Sequence, residues 1–404
     1  MRILHTSDWH IGQKLHGYER EDEHRLFFQW LKQLINEQYI DVLLVAGDIF
    51  DVGFPSNNAL KLYYNFLTSL IDSHCKQVII TGGNHDYIST LEAPSEILAA
   101  LNVRVVGGAR EELADELVII DGQDDTRCVV AAVPFLRDKD LRQTVAGESY
   151  ADRVNAMNQG IVKHYEAVAE EARAFDCPVI GMGHLYVQGA GLSDSERDVH
   201  IGNLAGLSVQ SFPASFDYMA LGHIHRPQKL NEEGTIRYSG SPLPLSFSER
   251  RDNKQVILLD VERSGVEVIR VIGVPTWRRL VSFKGSYADV AEKVQQYQGD
   301  NELDDWGEVQ IEEAVMDTSL RSSFDELVEA SNTADNRLQI IKPTLRFTGA
   351  IQDDEPRSTD SLNDLQVEDV FQRLMDSRQV VNQSQVQQTF SELMDSLYHQ
   401  GEND

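Results

Sequence analysis

Short apolar runs, each followed at once by polar residues, dominate the first part of the chain. Their length and their content of Ile, Val and Leu are typical of buried strands. The runs occupy residues 2–6, 42–46, 77–81, 178–182 and 218–221. Amphipathic stretches at 23–37 and 59–72 separate the first three runs. The order strand, helix, strand predicts a largely parallel sheet in this part of the chain.

Further strands and a hairpin follow, and after them a change of pattern. Strands are predicted at 117–120, 127–132 and 236–238, with a hairpin of 255–261 and 266–272 joined at Ser264-Gly265. After Pro275 the pattern is strand, helix, strand, helix, strand, at 280–283, 287–297, 308–312, 320–330 and 338–345. A polar linker at 353–360 then precedes two helices with apolar residues at helical spacing.

These boundaries predict three parts. Residues 1–274 form an α/β main domain, residues 275–350 a small α+β domain, and residues 351–404 an acidic linker with two C-terminal helices. The last part contains 12 acidic and 3 basic residues, so we do not expect it to bind nucleic acid. Its apolar residues could dock to a partner or pack on each other or on the body.

Composition limits the class of protein. A hydrophobic content of 41% and a charged content of 25% are those of an ordinary globular protein. No apolar run is long enough for a signal peptide or a membrane span, so we expect no membrane association and a cytoplasmic location. The cysteines, Cys75, Cys128 and Cys177, lie far apart without a CxxC motif, so we expect reduced thiols.

The polar residues that follow the five strands are those that bind metals. The clusters are Asp8-Trp9-His10, Gly47-Asp48, Gly83-Asn84-His85-Asp86, Gly183-His184 and Gly222-His223-Ile224-His225. Ligands of open α/β sheets gather at the carboxyl ends of the strands. Residues i and i+2 of an extended segment project to one side, so each D-x-H or H-x-H pair is expected to bind one site. The neighbouring glycines are expected to supply the unusual backbone dihedrals.

Carboxylate, imidazole and one amide oxygen form a ligand set that suits Mn²⁺, with Fe²⁺ or Zn²⁺ as alternatives. Two such ions, roughly 3.5–4 Å apart and sharing a carboxylate, can bind a phosphate and activate water. The pattern therefore predicts a hydrolase of phosphate esters that needs no protein nucleophile.

The order DxH…GD…GNHD…GH…GHxH resembles the signature of the calcineurin-like metallophosphoesterases, whose fold is a sandwich of β-sheets flanked by helices. The segments RILHTSDWHIG, AGDIFD and YSGSPLPLSF are similar to those of the SbcD family of nuclease subunits from bacterial DNA repair complexes. This resemblance covers the main domain and, more weakly, the small capping domain and the C-terminal tail.

The resemblance implies a role for each motif residue. One metal ion would be held by Asp8, His10, Asp48 and His225, and the other by Asp48, Asn84, His184 and His223. His85 would be catalytic, stabilising the phosphate or protonating the leaving 3′ oxygen, and Asp86 would orient His85 or a ligand. Two divalent ions, with Mn²⁺ preferred, are the implied cofactors.

The resemblance also implies a substrate and partners. The substrate would be DNA, cleaved as a 3′–5′ exonuclease on duplexes and as an endonuclease on single strands during repair and recombination. The partner would be an SbcC-like ATPase with a long coiled coil, bound by the C-terminal helices, and a homodimer of this chain would complete a heterotetramer.

The net charge of −29 conflicts with a nucleic-acid substrate, because DNA affinity comes largely from Lys and Arg. Bound cations or a basic partner can ease that conflict. Two alternatives stay open. One is an enzyme of the same fold acting on a small cyclic nucleotide or a phosphoprotein, and the other is a non-catalytic scaffold of a repair complex.

Other polar residues are expected to be ordinary surface or core residues. The histidines in this group are His5, His16, His24, His74, His164, His200 and His399. Asp51 is expected either to support a ligand or to cap a turn. The basic residues Lys14, His16, Arg20 and Arg25 alternate with acidic residues, which favours a charged helix face over a DNA path.

Overall fold

The computed structural model describes residues 1–122, 126–142, 148–196, 206–314 and 318–347, together with Phe390. The chain divides into two units, Met1–Thr348 and Gly349–Asp404. The predicted linker at 353–360 and the two predicted C-terminal helices lie outside the described residues, except for the helical residue Phe390.

The strands of the described residues make up three sheets and one small hairpin. In chain order they are β1 (Arg2–Thr6), β2 (Lys14–Leu15), β3 (Tyr18–Glu19), β4 (Val42–Ala46), β5 (Gln77–Thr81), β6 (Val103–Val106), β7 (Leu117–Asp121), β8 (Arg127–Ala132), β9 (Val179–His184), β10 (Tyr218–Gly222), β11 (Gln228–Lys229), β12 (Ile236–Tyr238), β13 (Gln255–Glu262), β14 (Gly265–Gly273), β15 (Leu280–Gly285), β16 (Asp305–Glu313) and β17 (Leu338–Phe347).

Helices lie between these strands. In chain order the described α-helices are α1 (Glu21–Glu37), α2 (Asn57–Ser69), α3 (Ile88–Glu92), α4 (Ser95–Ala99), α5 (Asp138–Leu141), α6 (Tyr150–Ala172), α7 (Tyr287–Gln296) and α8 (Thr318–Thr333). Every strand and helix predicted before residue 348 is present. Helix α6, the longest described helix, was not predicted from the sequence.

The first sheet has the order β14-β13-β1-β4-β5-β6. Strands β1, β4, β5 and β6 are parallel, which confirms the expectation from the alternation of strands and helices. The predicted hairpin is present as β13 and β14, which extend the sheet on the other side of β1 in antiparallel pairing. The carboxyl ends of β1, β4 and β5 therefore lie side by side.

The second sheet has the order β11-β12-β10-β9-β8-β7. Its central strands β8, β9, β10 and β12 are parallel, and β7 and β11 pair antiparallel at the two edges. The carboxyl ends of β9 and β10 are therefore adjacent, as those of β4 and β5 are in the first sheet.

The two sheets pack face to face around an apolar layer. This layer takes Ile3, Val42 and Leu44 from the first sheet and Val130, Ile180 and Ala220 from the second. The alternate residues Leu4, Leu43 and Val45 face the other way and pack with α1 and α2. A strand buried on both faces reads as a continuous apolar run, because its side chains alternate between two cores.

The third sheet has the order β15-β16-β17, and its three strands are parallel. Helices α7 and α8 connect these strands and pack on them through Val290, Val294 and Phe324. The described part of the chain contains no helix that is long and apolar enough to span a membrane.

Candidate metal centre

The strand ends bring the motif residues together. Asp8, Asp48 and Asn84 follow β1, β4 and β5 of the first sheet, and His223 follows β10 of the second sheet, next to His184 at the end of β9. His184 also joins the two sheets, because its Nδ1 lies 2.9 Å from the Ala46 carbonyl oxygen at the end of β4. The site therefore lies where carboxyl ends of both sheets meet.

The backbone at this point is not extended. Asp8, His10, Asp48 and His223 all have positive φ angles, of 51°, 45°, 49° and 99°. Non-glycine residues rarely adopt such angles, and strain of this kind is concentrated at functional sites. The expectation of an extended D-x-H segment was therefore wrong, and the unusual dihedrals are carried by the candidate ligands as well as by a glycine.

Of the four flanking glycines, Gly47 has a positive φ, of 79°. The others are required for space. A Cβ at Gly83 would clash with the Asp48 carboxylate, and one at Gly222 would clash with the carbonyl oxygen of Ala46. These glycines let the strand ends approach each other closely enough to bring the candidate ligands together.

Besides a partly buried group of His10, Asp51 and His85, two buried groups of potential ligands form, each with its ligand atoms within 4.8 Å of one another. One contains Asp8, His10 and His225, and the other contains Asp48, His184 and His223. All six side chains are buried. The two histidines of the H-x-H motif belong to different groups, so the expectation that this pair binds a single site was wrong.

Asp48 connects the two groups. Its Oδ2 atom lies 3.1 Å from Nε2 of His184 in one group and 3.5 Å from Nε2 of His10 in the other. Its Oδ1 atom accepts a hydrogen bond from the backbone N–H of His85, at 2.9 Å. A single carboxylate shared in this way is the arrangement required of a ligand that bridges two metal ions.

Asn84 completes the second group. Its Oδ1 atom lies 3.0 Å from Nε2 of His184 and 2.9 Å from Nδ1 of His223. Asp8 lies between the sheets, where its Oδ1 atom accepts the backbone N–H of His223, at 2.8 Å. The amide oxygen of Asn84 and the carboxylates thus face the same small space as the imidazoles.

Protein oxygens occupy the Nδ1 side of three of these imidazoles. Nδ1 of His184 donates to the Ala46 carbonyl oxygen, Nδ1 of His10 lies 3.2 Å from an Asp51 carboxylate oxygen, and Nδ1 of His225 lies 2.8 Å from Ser195 Oγ. Metal-binding histidines are held in this way, because the bond at one nitrogen orients the other toward the metal.

These contacts fit a pair of divalent cations. In the described residues, Nε2 of His10 is buried and has no hydrogen-bond partner. Carboxylates and imidazoles buried together are costly unless they are paired or bind a metal. The donors are oxygen and nitrogen atoms without sulfur, as a site for Mn²⁺ requires. The side chains present therefore match the group that the motifs imply.

The buried charged groups shift one another's pKa values. Burial alone would raise the pKa of Asp48, but the neighbouring His184 and His10 hold it well below its ordinary value. Burial acts to lower the pKa of His184, and the Asp48 carboxylate outweighs it and raises that pKa to about 9. Metal ions bind the neutral imidazole, so binding of a cation by His184 requires loss of this proton.

His85 lies at the edge of both groups. Its ring meets that of His10 edge-on, with centroids 4.9 Å apart, and its Nδ1 donates a hydrogen bond to the Asp51 carbonyl oxygen, at 2.8 Å. The Asp51 carboxylate contacts His10, so Asp51 holds a candidate ligand through its side chain and His85 through its backbone. Asp51 therefore supports the site and is not merely a turn cap.

Asp86 does not orient His85. Its carboxylate accepts the backbone N–H groups of Ile49, Phe50 and Gly83, at 2.9–3.1 Å, and so ties the turn after β4 to the turn after β5. Burial, and then the charge of Asp48, raise the pKa of Asp86 to about 6. Its role is to hold the two turns that carry Asp48, Asn84 and His85.

A buried polar network behind His225 was not predicted from the sequence. Glu249 accepts hydrogen bonds from the hydroxyls of Ser193 and Ser195 and pairs with Lys254, whose Nζ lies 2.6 Å from Oε2. Ser195 in turn contacts Nδ1 of His225. No spacing signal could reveal this network, because its members come from separate loops and resemble surface residues in the sequence.

Most of the other histidines and basic residues behave as expected. His5 and His24 are buried and hydrogen-bonded away from the groups, and His164 contacts Glu116. His16 is exposed, His74 is half-buried, and His200 and His399 lie outside the described residues. Lys14 on β2 and Arg25 on α1 form exposed ion pairs, which fits a charged surface, whereas Arg20 is buried in an ion pair with the buried Glu23 and is not part of the expected helix face.

Known proteins share the sequence pattern of this chain over most of its length. Residues 1–227 match the family model of the calcineurin-like phosphoesterases, and residues 276–379 match the model described as the type 5 capsule protein repressor C-terminal domain. The SbcD subunit of the nuclease SbcCD from Escherichia coli K12 is 32% identical over 379 residues, which cover 92% of each chain. This chain belongs to the SbcD branch of the calcineurin-like phosphoesterases.

One further relative of the SbcD branch and one solved structure are also similar to this chain. The SbcD subunit of the nuclease SbcCD from Rhodobacter capsulatus is 40% identical over 273 residues, covering 65% of this chain and 66% of its own. A solved dimetal phosphatase from Danio rerio is 14% identical, with a TM-score of 0.38, and covers 68% of this chain and 96% of its own. Membership of the SbcD branch rests on the sequence matches.

Proposed function

We propose that this SbcD-branch chain is a two-metal-dependent DNA nuclease that acts in repair and recombination as the nuclease subunit of an SbcCD-type complex. The observation that carries the proposal is the position of Asp48, whose carboxylate lies between two groups of buried imidazoles and carboxylates. The relatives are named as subunits of the nuclease SbcCD, which supports DNA as the substrate class.

The ligands divide between the two ions. Asp8, His10, Asp48 and His225 would hold one ion, and Asp48, Asn84, His184 and His223 would hold the other, with Mn²⁺ as the preferred metal. When bound, such a pair of ions supplies Lewis acidity to a phosphate and lowers the pKa of water at the site. The protein holds its imidazoles in place through Ala46, Asp51 and Ser195, so little reorganisation is needed on binding.

His85 acts on the substrate and not on the metal. Its Nδ1 proton is committed to the Asp51 carbonyl oxygen, which can only accept. Nε2 is therefore the atom that can carry a second proton toward the phosphate. In that form His85 stabilises the charge of the phosphate and delivers the proton to the leaving 3′ oxygen. Polarity from 3′ to 5′ on duplexes and endonuclease action on single strands belong to this proposal.

Partners complete the proposal. An SbcC-like ATPase with a coiled coil binds the C-terminal segment at 351–404, and a homodimer of this chain forms the centre of a heterotetramer. In this arrangement the ATPase supplies the positive charge, because acidic residues outnumber basic ones in this chain by 65 to 36. DNA affinity depends on neutralised phosphates, so the partner contributes most of the duplex-binding surface.

The test is hydrolysis of labelled single-stranded and duplex DNA by the purified chain with Mn²⁺ or with EDTA, alone and with the ATPase partner and ATP. Asp48→Asn should abolish cleavage, since Asp48 is shared by both groups. Asp22→Asn is the matched control, because Asp22 lies exposed on α1 in an ion pair with Arg25. Mn²⁺, Mg²⁺, Zn²⁺ and Fe²⁺ should be compared at equal concentrations.

Each alternative has a distinct outcome in this test. Turnover of a cyclic nucleotide without any cleavage of DNA, even with the partner present, would identify a small-molecule phosphodiesterase. DNA-end binding that survives complete chelation, with no cleavage under any condition, would identify a scaffold. Cleavage that requires Mn²⁺ and disappears with Asp48→Asn supports the nuclease.

A further inference from the structure

An aromatic pair stands on the surface beside the candidate metal centre. Phe54 is 79% exposed and Tyr87 is 51% exposed, and their ring centroids lie 4.8 Å apart with the planes tilted by 31°. Val52, which follows Asp51 in the chain, is 53% exposed. Large apolar side chains exposed together in this way indicate a binding surface more often than single exposed ones do.

The pair is connected to His85 by short paths. Tyr87 is two residues beyond His85, and Phe54 is three residues beyond Asp51, whose carbonyl oxygen accepts the hydrogen bond from His85 Nδ1. The Asp51 side chain contacts His10 at the same time. The aromatic pair is therefore held by the same segments that carry the group proposed to act on the scissile phosphate.

The backbone that carries the pair is held by local contacts. Gly53 lies flat against the Tyr87 ring, where any Cβ would overlap the ring, and its carbonyl oxygen accepts a hydrogen bond from Thr90 Oγ1, at 3.0 Å. Phe54 is followed by Pro55 and then by Ser56, which caps α2 by accepting the backbone N–H of Ala59. Rigid aromatic side chains bind planar ligands with little loss of conformational entropy.

We propose that Phe54 and Tyr87 form a stacking platform for bases of an unpaired DNA strand next to the phosphate that is cleaved. This inference rests on the proposed nuclease function and adds the substrate feature that is recognised. Stacking on an aromatic ring binds any base through its π-face and needs no positive charge. Stacking suits Phe54 and Tyr87, because neither is paired with a basic residue among the described residues. A base that is still stacked inside a duplex cannot bind in this way.

The test is the kinetics of Mn²⁺-dependent cleavage of a single-stranded oligonucleotide by the full-length chain. Phe54→Ala and Tyr87→Ala should each raise KM about 5- to 100-fold, the range that loss of one base–aromatic stack produces. Phe54→Trp should restore the wild-type KM, whereas Phe54→Leu should not, because Leu keeps apolar area without a π-face.

Tyr39→Ala is the matched control. Tyr39 is 62% exposed and also meets another ring edge-on, that of His74, at 5.3 Å. It precedes β4, at the opposite end of the strand from Asp48, so its removal should leave KM unchanged. An equal rise in KM for Tyr39→Ala would show a general effect of losing surface aromatics and would overturn the proposal.

An oligonucleotide with abasic sites around the cleaved phosphate tests whether the aromatic pair binds the bases or the backbone of the strand. Wild type and Phe54→Ala should cleave it with equal KM, because there is no base to stack. A KM difference that persists on the abasic strand would overturn the proposal, as would an unchanged KM of Phe54→Ala on the normal strand. Absence of any Mn²⁺-dependent cleavage by wild type, both alone and with the ATPase partner and ATP, would instead contradict the nuclease function itself.

A second copy of this chain is the competing occupant of the aromatic pair. Analytical ultracentrifugation of wild type and Phe54→Ala at the same concentration distinguishes the two. The same oligomeric state for both proteins is expected. A shift of Phe54→Ala to a smaller species, with recovery by Phe54→Leu, would assign the pair to contacts between copies and would overturn the stacking platform.

Discussion

At the scale of single residues, His85 is proposed to act on the substrate and not on the metal. It contacts the ring of His10 and donates to a carbonyl oxygen, and it lies outside the two buried groups of candidate ligands, although it forms a partly buried group with His10 and Asp51. His85→Gln should reduce DNA cleavage about 10²- to 10⁴-fold, the usual contribution of a general acid. The Mn²⁺ content, measured by atomic absorption, should stay at the wild-type value.

The control for this variant is His74→Gln, which removes a half-buried histidine next to Asp41, before β5 and so at the opposite end of that strand from Asn84. Cleavage and metal content should both be unaffected. If His85→Gln lost an equivalent of Mn²⁺, its low activity would be explained by an empty site and the acid role would be wrong.

Lys254 is the positive member of the buried network behind His225. Its Nζ donates to Glu249, to Ser241 Oγ and to the His225 carbonyl oxygen, and both partners of the ion pair are buried. Removing one partner of a buried pair leaves an uncompensated charge. Lys254→Met should therefore lower the free energy of unfolding, measured by urea denaturation, by about 3–5 kcal/mol.

Adding Glu249→Gln to Lys254→Met removes the uncompensated charge, so the double variant should recover more than half of that loss. A double variant as unstable as the single one would mean that lost packing around the Lys254 side chain, and not the unpaired carboxylate, is responsible. Arg321→Met, which breaks an exposed ion pair with Asp325, should cost under about 1 kcal/mol.

The types and order of the candidate ligands could be predicted from the sequence, because each follows an apolar run that can only be a buried strand. The left-handed backbone at Asp8, His10 and Asp48 could not, since local sequence does not reveal strain that the packed sheets impose. Spacing along one strand also cannot show that His223 and His225 belong to different groups of ligands, because that depends on how the two sheets meet.

At the scale of elements, buried strands were predictable and α6 was not. A strand buried on both faces is a continuous apolar run, whereas α6 mixes apolar and polar residues in nearly equal numbers and buries Ile161, Tyr165 and Val168 on one helical face. That spacing is a signal for an amphipathic helix. Gly160, a poor helix former in the middle of the segment, weakens that signal.

The third sheet is anchored to the rest of its unit through Trp306 on β16. Trp306 is buried, and the guanidinium of Arg278 lies over its ring at 4.0 Å and pairs with Glu23 of α1. Leu15 of the small hairpin β2–β3 packs in the same cluster. Trp306→Ala should lower the free energy of unfolding by about 3–5 kcal/mol, as for other large buried aromatics.

Trp306→Phe retains most of the apolar area and should cost less than half as much in the same urea denaturation experiment. The Mn²⁺ content of Trp306→Ala should equal that of wild type, because no candidate ligand contacts Trp306. Equal losses for the Ala and Phe variants would indicate that the hydrogen bond from Trp306 Nε1 to Gln339, and not packing, anchors the sheet.

At the scale of the whole molecule, the two units of the chain carry different proposed tasks. The candidate ligands found among the described residues all lie within the first unit, Met1–Thr348. From residue 351 onward acidic residues outnumber basic ones by 12 to 3, which opposes a DNA-binding role. Apolar residues at helical spacing in this segment favour docking to a protein partner.

A chain that ends at residue 350 should therefore keep Mn²⁺-dependent cleavage of single-stranded DNA within about twofold of wild type and lose the SbcC-like ATPase. Co-purification of the tagged chain with the ATPase measures the second effect, and Phe390→Asp in the full-length chain is the point variant that should weaken it in the same way. Retention of the ATPase by the shortened chain would place the docking surface on the first unit. Loss of cleavage together with the ATPase would show that the second unit supports the metal centre itself.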